Sequence, residues 1–117
     1  MNEEIAVLPF VLSVQNRQCQ VTLTGDLTAA TIPDLQPALR SVLDQGASEL
    51  VFDLAHAVML DSSGIGILIA SSNTMARRGG KVCVINVSPD ILRLLQMMRL
   101  VERLHVSACQ EQENRRG

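Results

Sequence analysis

LVFDLAHAVMLDSSGIGIL, residues 50–68, decides how the chain is read. It opens on one apolar run, closes on another, and sets an acid, two hydroxyls and two glycines at the seam. ELVFDL, residues 49–54, is continuously apolar with one acid near its end, the pattern of a strand buried on both faces. Downstream, Ile65, Leu68, Ile69, Ser72, Met75 and Ala76 form one helical stripe that runs toward Gly79-Gly80. Ile65, Ile67 and Ile69 also alternate as a strand would, but the length to the glycine pair selects a helix, expected over 63–78. Residues 61–64 then fall at the carboxyl end of a strand and the amino end of a helix. Open α/β sheets present their ligand and partner sites at that place.

Upstream, residues 9–15 and 18–24 read as two alternating strands joined at Asn16-Arg17, an expected hairpin. Leu35, Ala38, Leu39, Val42 and Leu43 follow at helical spacing, with Thr31 or Asp34 to cap the start and Gly46 to follow the end. Pro37 favours a start at Asp34, or a loose turn before it, because it then lies in the first turn, where its missing N–H costs nothing. The helix is expected over 34–45. Downstream, KVCVINV, residues 81–87, reads as another buried strand, and Ser88-Pro89 as a cap with proline in the first turn of a helix over 89–98. A short last strand is expected over 103–106, and a frayed polar tail over 110–117. The order predicts one α/β domain, residues 1–109, with a mostly parallel twisted sheet, an N-terminal β-hairpin and helices packed against the sheet.

Composition narrows the function. With 117 residues the chain can bury a core without disulfides or metal, and with only Phe10 and Phe52 aromatic that core is aliphatic. The net charge of -2, the absence of a basic stripe and the scarcity of stacking side chains exclude a nucleic-acid module. Cys19, Cys83 and Cys109 lack metal-site spacing, and His56 and His105 add none, so neither metal nor cofactor is expected. The start Met1-Asn2-Glu3-Glu4 is acidic where a signal peptide is basic, and the apolar stretch after it is broken by Pro9. No membrane insertion is expected, and the expected compartment is the cytoplasm.

Taken alone, Asp61-Ser62-Ser63-Gly64 admits several readings. Asp and Ser are good helix caps, and a glycine eases a tight turn. A hydrolase elbow would need Gly-x-Ser-x-Gly and a partnered histidine, and a Walker loop would need Gly-Lys-Ser or Gly-Lys-Thr; both are missing. Phosphate binding by the helix N-terminus stays physically open.

The quoted stretch, the helix ending in Arg-Gly-Gly, and KVCVINVSPDILRLLQMMRL together resemble the STAS domain family, and within it the bacterial anti-sigma factor antagonists. The resemblance spans the chain from the first strand to about His105. It implies a non-enzymatic regulator of transcription that switches partners. Phosphorylation of Ser62, the serine after the aspartate, by an anti-sigma factor with serine kinase activity would control it, and a serine phosphatase would reverse it. The expected fold places the partner surface around Ser62 near the carboxyl end of the sheet, comprising Asp26, Thr28, Asp61, Ser62, Ser63 and Gly64, with Asn73 and Arg77 on the exposed face of the next helix. One departure stands out: Gly25-Asp26-Leu27-Thr28 replaces a Gly-Glu-Leu-Asp common in the family, so Thr28 stands for an acid. The alternatives are an unphosphorylated STAS scaffold, as in lipid-transport ATPase complexes and stress-signalling particles, or a small-ligand or nucleotide sensor.

Overall fold

The structure, a computed structural model, describes residues 8–108. The expected polar tail and Cys109 lie outside the described residues. In chain order the elements are β1 (Phe10–Gln15), β2 (Gln18–Leu23), α1 (Ile32–Asp44), β3 (Glu49–Asp53), α2 (Ser62–Arg77), β4 (Lys81–Val87), α3 (Pro89–Met97) and β5 (Val106–Ala108). They form a single sheet in the order β1-β2-β3-β4-β5, antiparallel between β1 and β2 and parallel elsewhere. The expected hairpin is present. Asn16 and Arg17 both take left-handed backbone angles, φ 53° and 66°, as the tightest two-residue turns demand.

Strands laid down in sequence order, through crossovers of the right-handed kind these units take, put every helix on one face of the sheet. Burial follows that rule. Cys19 and Val21 of β2 lie in register with Leu50 and Phe52 of β3 and with Val82 and Val84 of β4, and all are buried, as is Leu23. Leu35, Leu68 and Leu95 join them from the three helices. On the other face Gln20, Thr22, Cys83 and Ile85 are only half-buried. The expectation that ELVFDL is buried on both faces holds at its centre, where Leu50, Val51 and Phe52 are all buried, whereas the buried strand expected at KVCVINV is fully covered on one face only. The strand order never reverses, so no helix reaches the second face, and Val51 is closed there by its neighbours in the sheet.

Two further expectations shift. α1 begins at Ile32, before Asp34, and Pro37 lies inside the helix. Thr31 does not cap it with its side chain. Its hydroxyl instead donates to the Asp26 carbonyl at 3.1 Å and accepts from the Thr28 N–H at 3.3 Å, tying down the loop before the helix. Pro37 has no N–H to offer the Pro33 carbonyl, and both prolines are exposed, so water can serve that group. β5 starts at Val106 rather than 103, because the chain after α3 makes a further turn, with Leu104 N–H bonded to the Leu100 carbonyl at 3.0 Å. His105 then reverses direction at φ 48°. Ser88 caps α3 as expected, accepting from the Ile91 N–H at 3.2 Å.

Candidate functional site

Two loops meet where the parallel strands end, one after β2 and one after β3. Leu27 and Leu60 form a parallel bridge that prolongs the pairing of the two strands. Both leucines are buried, so the bridge is anchored from below. Two carboxylates then stitch the loops crosswise. Asp26 Oδ1 accepts from the N–H groups of Val58 at 2.7 Å and Met59 at 2.9 Å. Asp61 Oδ2 accepts from Ala29 N–H at 3.0 Å, while its Oδ1 accepts from Gly64 N–H at 2.8 Å. Asp61 is thus the N-cap of α2 and a bridge to the other loop at once. The N–H groups of Gly64 first and Ala29 second hold its carboxyl below the usual carboxylate range.

Asp61 takes the capping role, so neither serine hydroxyl is needed for it. Ser62, the first helical residue, is exposed; Ser63 is half-buried and turns toward α1. Ser63 lines an open groove of about 550 Å³ between the two helices, together with Ala29, Ile32, Pro33, Gly66 and Ile67. Gly64 is buried, and its backbone packs on the other loop. A Cβ there would collide with the Leu27 carbonyl and lie 2.9 Å from Leu60 Cδ1. Gly64 therefore seats the helix rather than facing solvent, unlike the other residues of the expected surface.

Thr28 is half-buried, and its backbone is fastened to Thr31, whose N–H donates to the Thr28 carbonyl at 2.9 Å. Its neighbour Ala29 is the residue that Asp61 holds, so Thr28 lies beside the start of α2. Asn73 and Arg77 are exposed on α2, within about 60° of Ser62 around an axis of roughly 3.6 residues per turn. They do not share its end of the sheet, as the sequence reading placed them. α2 runs back against the strands, so Asn73 lies about 16 Å and Arg77 about 22 Å from Ser62 along the helix, at ~1.5 Å per residue. The Asn73 side-chain oxygen is also engaged by the Arg103 guanidinium.

The sequence reading passed over Val58 and Met59, which it took as an apolar connection. They are 77% and 54% exposed beside the cap, while Leu60 turns inward at 6%. Among the described residues no group of His, Cys, Asp and Glu is arranged to hold a metal ion. Burial pushes the thiols of Cys19 and Cys83 up, and for Cys83 its bond to Glu49 Oε2 at 3.5 Å adds to the rise. No described helix is long and apolar enough to cross a membrane.

A mixed sheet with an antiparallel leading hairpin, and an Asp-Ser-Ser-Gly start to the helix after its central strand, is one half of the comparison. The other is the match of residues 10–112 to the STAS domain. The chain belongs to the STAS domain family. It is 24% identical over 101 residues to the anti-sigma-B factor antagonist of Staphylococcus aureus, covering 86% of this chain and 94% of that one. Its fold is shared with an anti-sigma factor antagonist from Mycobacterium paratuberculosis, at a TM-score of 0.72 and 22% identity, over 84% of this chain and 83% of that one. It is shared too with the Bacillus cell fate determinant SpoIIAA in its phosphorylated form. There the TM-score is 0.70 and the identity 21%, over 92% of this chain and 97% of the other. At these identities the two solved structures establish the fold of this STAS domain.

Proposed function

We propose that this STAS domain is an anti-sigma factor antagonist, a non-catalytic partner switch governed by phosphorylation of Ser62. The observation that carries the reading is the division of labour at the start of α2. Asp61 caps the helix and holds the opposite loop, and Ser62 is left exposed at the first helical position. A kinase can reach Ser62 without opening the fold. The relative in Staphylococcus aureus, an anti-sigma-B factor antagonist, points to the same function. The structure of SpoIIAA in a phosphorylated form makes phosphate a natural modification for this fold.

Electrostatics favours a switch of binding over a switch of folding. A phosphate on Ser62 adds nearly two negative charges. The amino end of α2 favours an anion by about 0.3–1 kcal/mol, and Asp61 opposes it by a like amount, so the domain stays folded. A partner that covers the site must strip water from the dianion, which costs far more. The partners of this reading are an anti-sigma factor with serine kinase activity and a serine phosphatase, acting in the cytoplasm. Their docking surface comprises Asp26, Thr28, Asp61, Ser62 and the exposed edge of Ser63. A partner lying along α2 reaches Asn73 and Arg77 as well.

A STAS scaffold that is never phosphorylated is the second reading, and Thr28 in place of an acid favours it. Incubation with the cognate kinase-type anti-sigma factor and ATP, followed by mass-spectrometric site mapping, separates the two. Phosphate on Ser62, lost in Ser62→Ala, is the expected result. Phosphate on Ser63 alone, or on neither serine, removes the switch.

A further inference from the structure

The charges of the domain are segregated along the strand direction. Of the eight described carboxylates, five stand at the edge where the parallel strands end: Asp26, Asp34, Asp53, Asp61 and Asp90. The one lysine or arginine there is Arg93, already paired with Asp90 at 3.2 Å. Seven of the eight described lysines and arginines occupy the other half, among them Arg77, Arg78, Lys81, Arg99 and Arg103, against Asp44, Glu49 and Glu102. One half therefore carries an excess of four negative charges and the other an excess of four positive ones. The three helices aim their amino ends at the acidic edge, and each offsets about half a charge, which leaves roughly 2.5 of each sign.

Each end also exposes a pair of apolar side chains. Val58 and Met59 are 77% and 54% exposed at the acidic edge, on backbone clamped by Asp26. At the basic edge Met97 and Met98, where α3 ends, are 75% and 43% exposed, with Arg99 next in the chain. Apolar anchors rimmed by charge are the makings of an interface, and here the two ends of one molecule are complementary in both respects.

We propose that a second copy of this chain docks head to tail, seating its basic edge and Met97-Met98 on the acidic edge around Val58-Met59. The contact joins two different surfaces, so it propagates into open chains unless its rotation closes a ring. Val58 and Met59 lie within four residues of Ser62, so a docked copy also covers the exposed serine, and self-association and access to Ser62 exclude each other. The inference stands on charge and exposure alone, independent of the phosphorylation reading.

Sedimentation velocity of the full chain tests it with two blocked variants, both checked for folding by circular dichroism. Val58→Lys/Met59→Lys sets positive charge against the basic edge, and Met97→Glu/Arg99→Glu sets negative charge against the acidic one. The parent chain is expected to grow beyond a dimer with concentration at about 0.01 M salt and to dissociate at about 1 M, where the screening length falls from ~30 Å to ~3 Å. Each blocked variant alone should associate at least about tenfold more weakly. An equimolar mixture of the two should regain association, since the intact basic edge of one variant meets the intact acidic edge of the other. A parent chain that stays monomeric at low salt, one that stops at a dimer, or blocked variants that associate like the parent would each overturn the proposal.

Discussion

The carboxylate of Asp61 accepts a hydrogen bond at 3.0 Å from the backbone N–H of Ala29, 32 positions earlier in the chain. That bond makes one side chain both the cap of α2 and the brace of the loop that precedes α1. It couples the amino ends of two helices at the point where Ser62 is exposed.

Because those N–H groups lower the Asp61 pKa in the folded state, its contribution to stability has a defined pH dependence. It is fully present above the unfolded-state value of about 3.9 and is lost as pH falls through the depressed folded value. Asp61→Asn should lower the melting temperature at neutral pH, and the gap to the parent should narrow as the medium is acidified below about pH 4. Thermal unfolding followed by circular dichroism across that window measures it. A gap that widens on acidification would contradict the assignment.

Two glycines of the same helix should respond in opposite directions. A Cβ at Gly64 meets the Leu27 carbonyl and the Leu60 side chain, whereas one at Gly66 meets nothing within 4 Å. Gly64→Ala should destabilise the domain by about 1–3 kcal/mol through overpacking. Gly66→Ala should stabilise it by about 0.5–1 kcal/mol through helix propensity. Urea denaturation gives both values.

Asp26 holds Val58 and Met59 through two backbone bonds. Asp26→Ala should cost about 1 kcal/mol of global stability. It should also speed hydrogen exchange at those two amides, while the amides of β3 remain protected. Exchange read by mass spectrometry or NMR distinguishes this local release from general unfolding.

Substitution at Ser62 should act on binding alone. Ser62 is exposed and Asp61 supplies the cap, so Ser62→Ala and Ser62→Asp should each change stability by less than about 0.5 kcal/mol. Under the proposed switch Ser62→Ala keeps the affinity for an anti-sigma partner. Ser62→Asp loses at least about tenfold, since a charge must be buried beside Asp61. Titration calorimetry against the purified partner reads both, and equal affinities would return Ser62 to a merely structural role.

Much of this domain is legible in its sequence. The hairpin at Asn16-Arg17, the Ser88-Pro89 start of α3 and the stripe of α2 depend on residues a few positions apart. Turn chemistry, capping and apolar period act at that range, and the sequence states them directly. The Asp-Ser-Ser-Gly segment likewise declared its place between strand and helix. Tertiary structure settled the rest, because the deciding partners are distant in the chain. Which of three capping side chains would serve was settled when Ala29 came within reach of Asp61. The start of α1 moved because the Thr31 hydroxyl was drawn to the Asp26 carbonyl. β4 looks buried by composition, yet Cys83 and Ile85 stay half-buried because an unreversed strand order sends every helix to the other face. Val58 and Met59 are as apolar as Leu60, yet they are exposed, because the Asp26 carboxylate fixes their backbone while Leu60 fills the space beneath. Local periodicity selects the elements; long-range hydrogen bonds and sheet topology decide which of their side chains meet solvent.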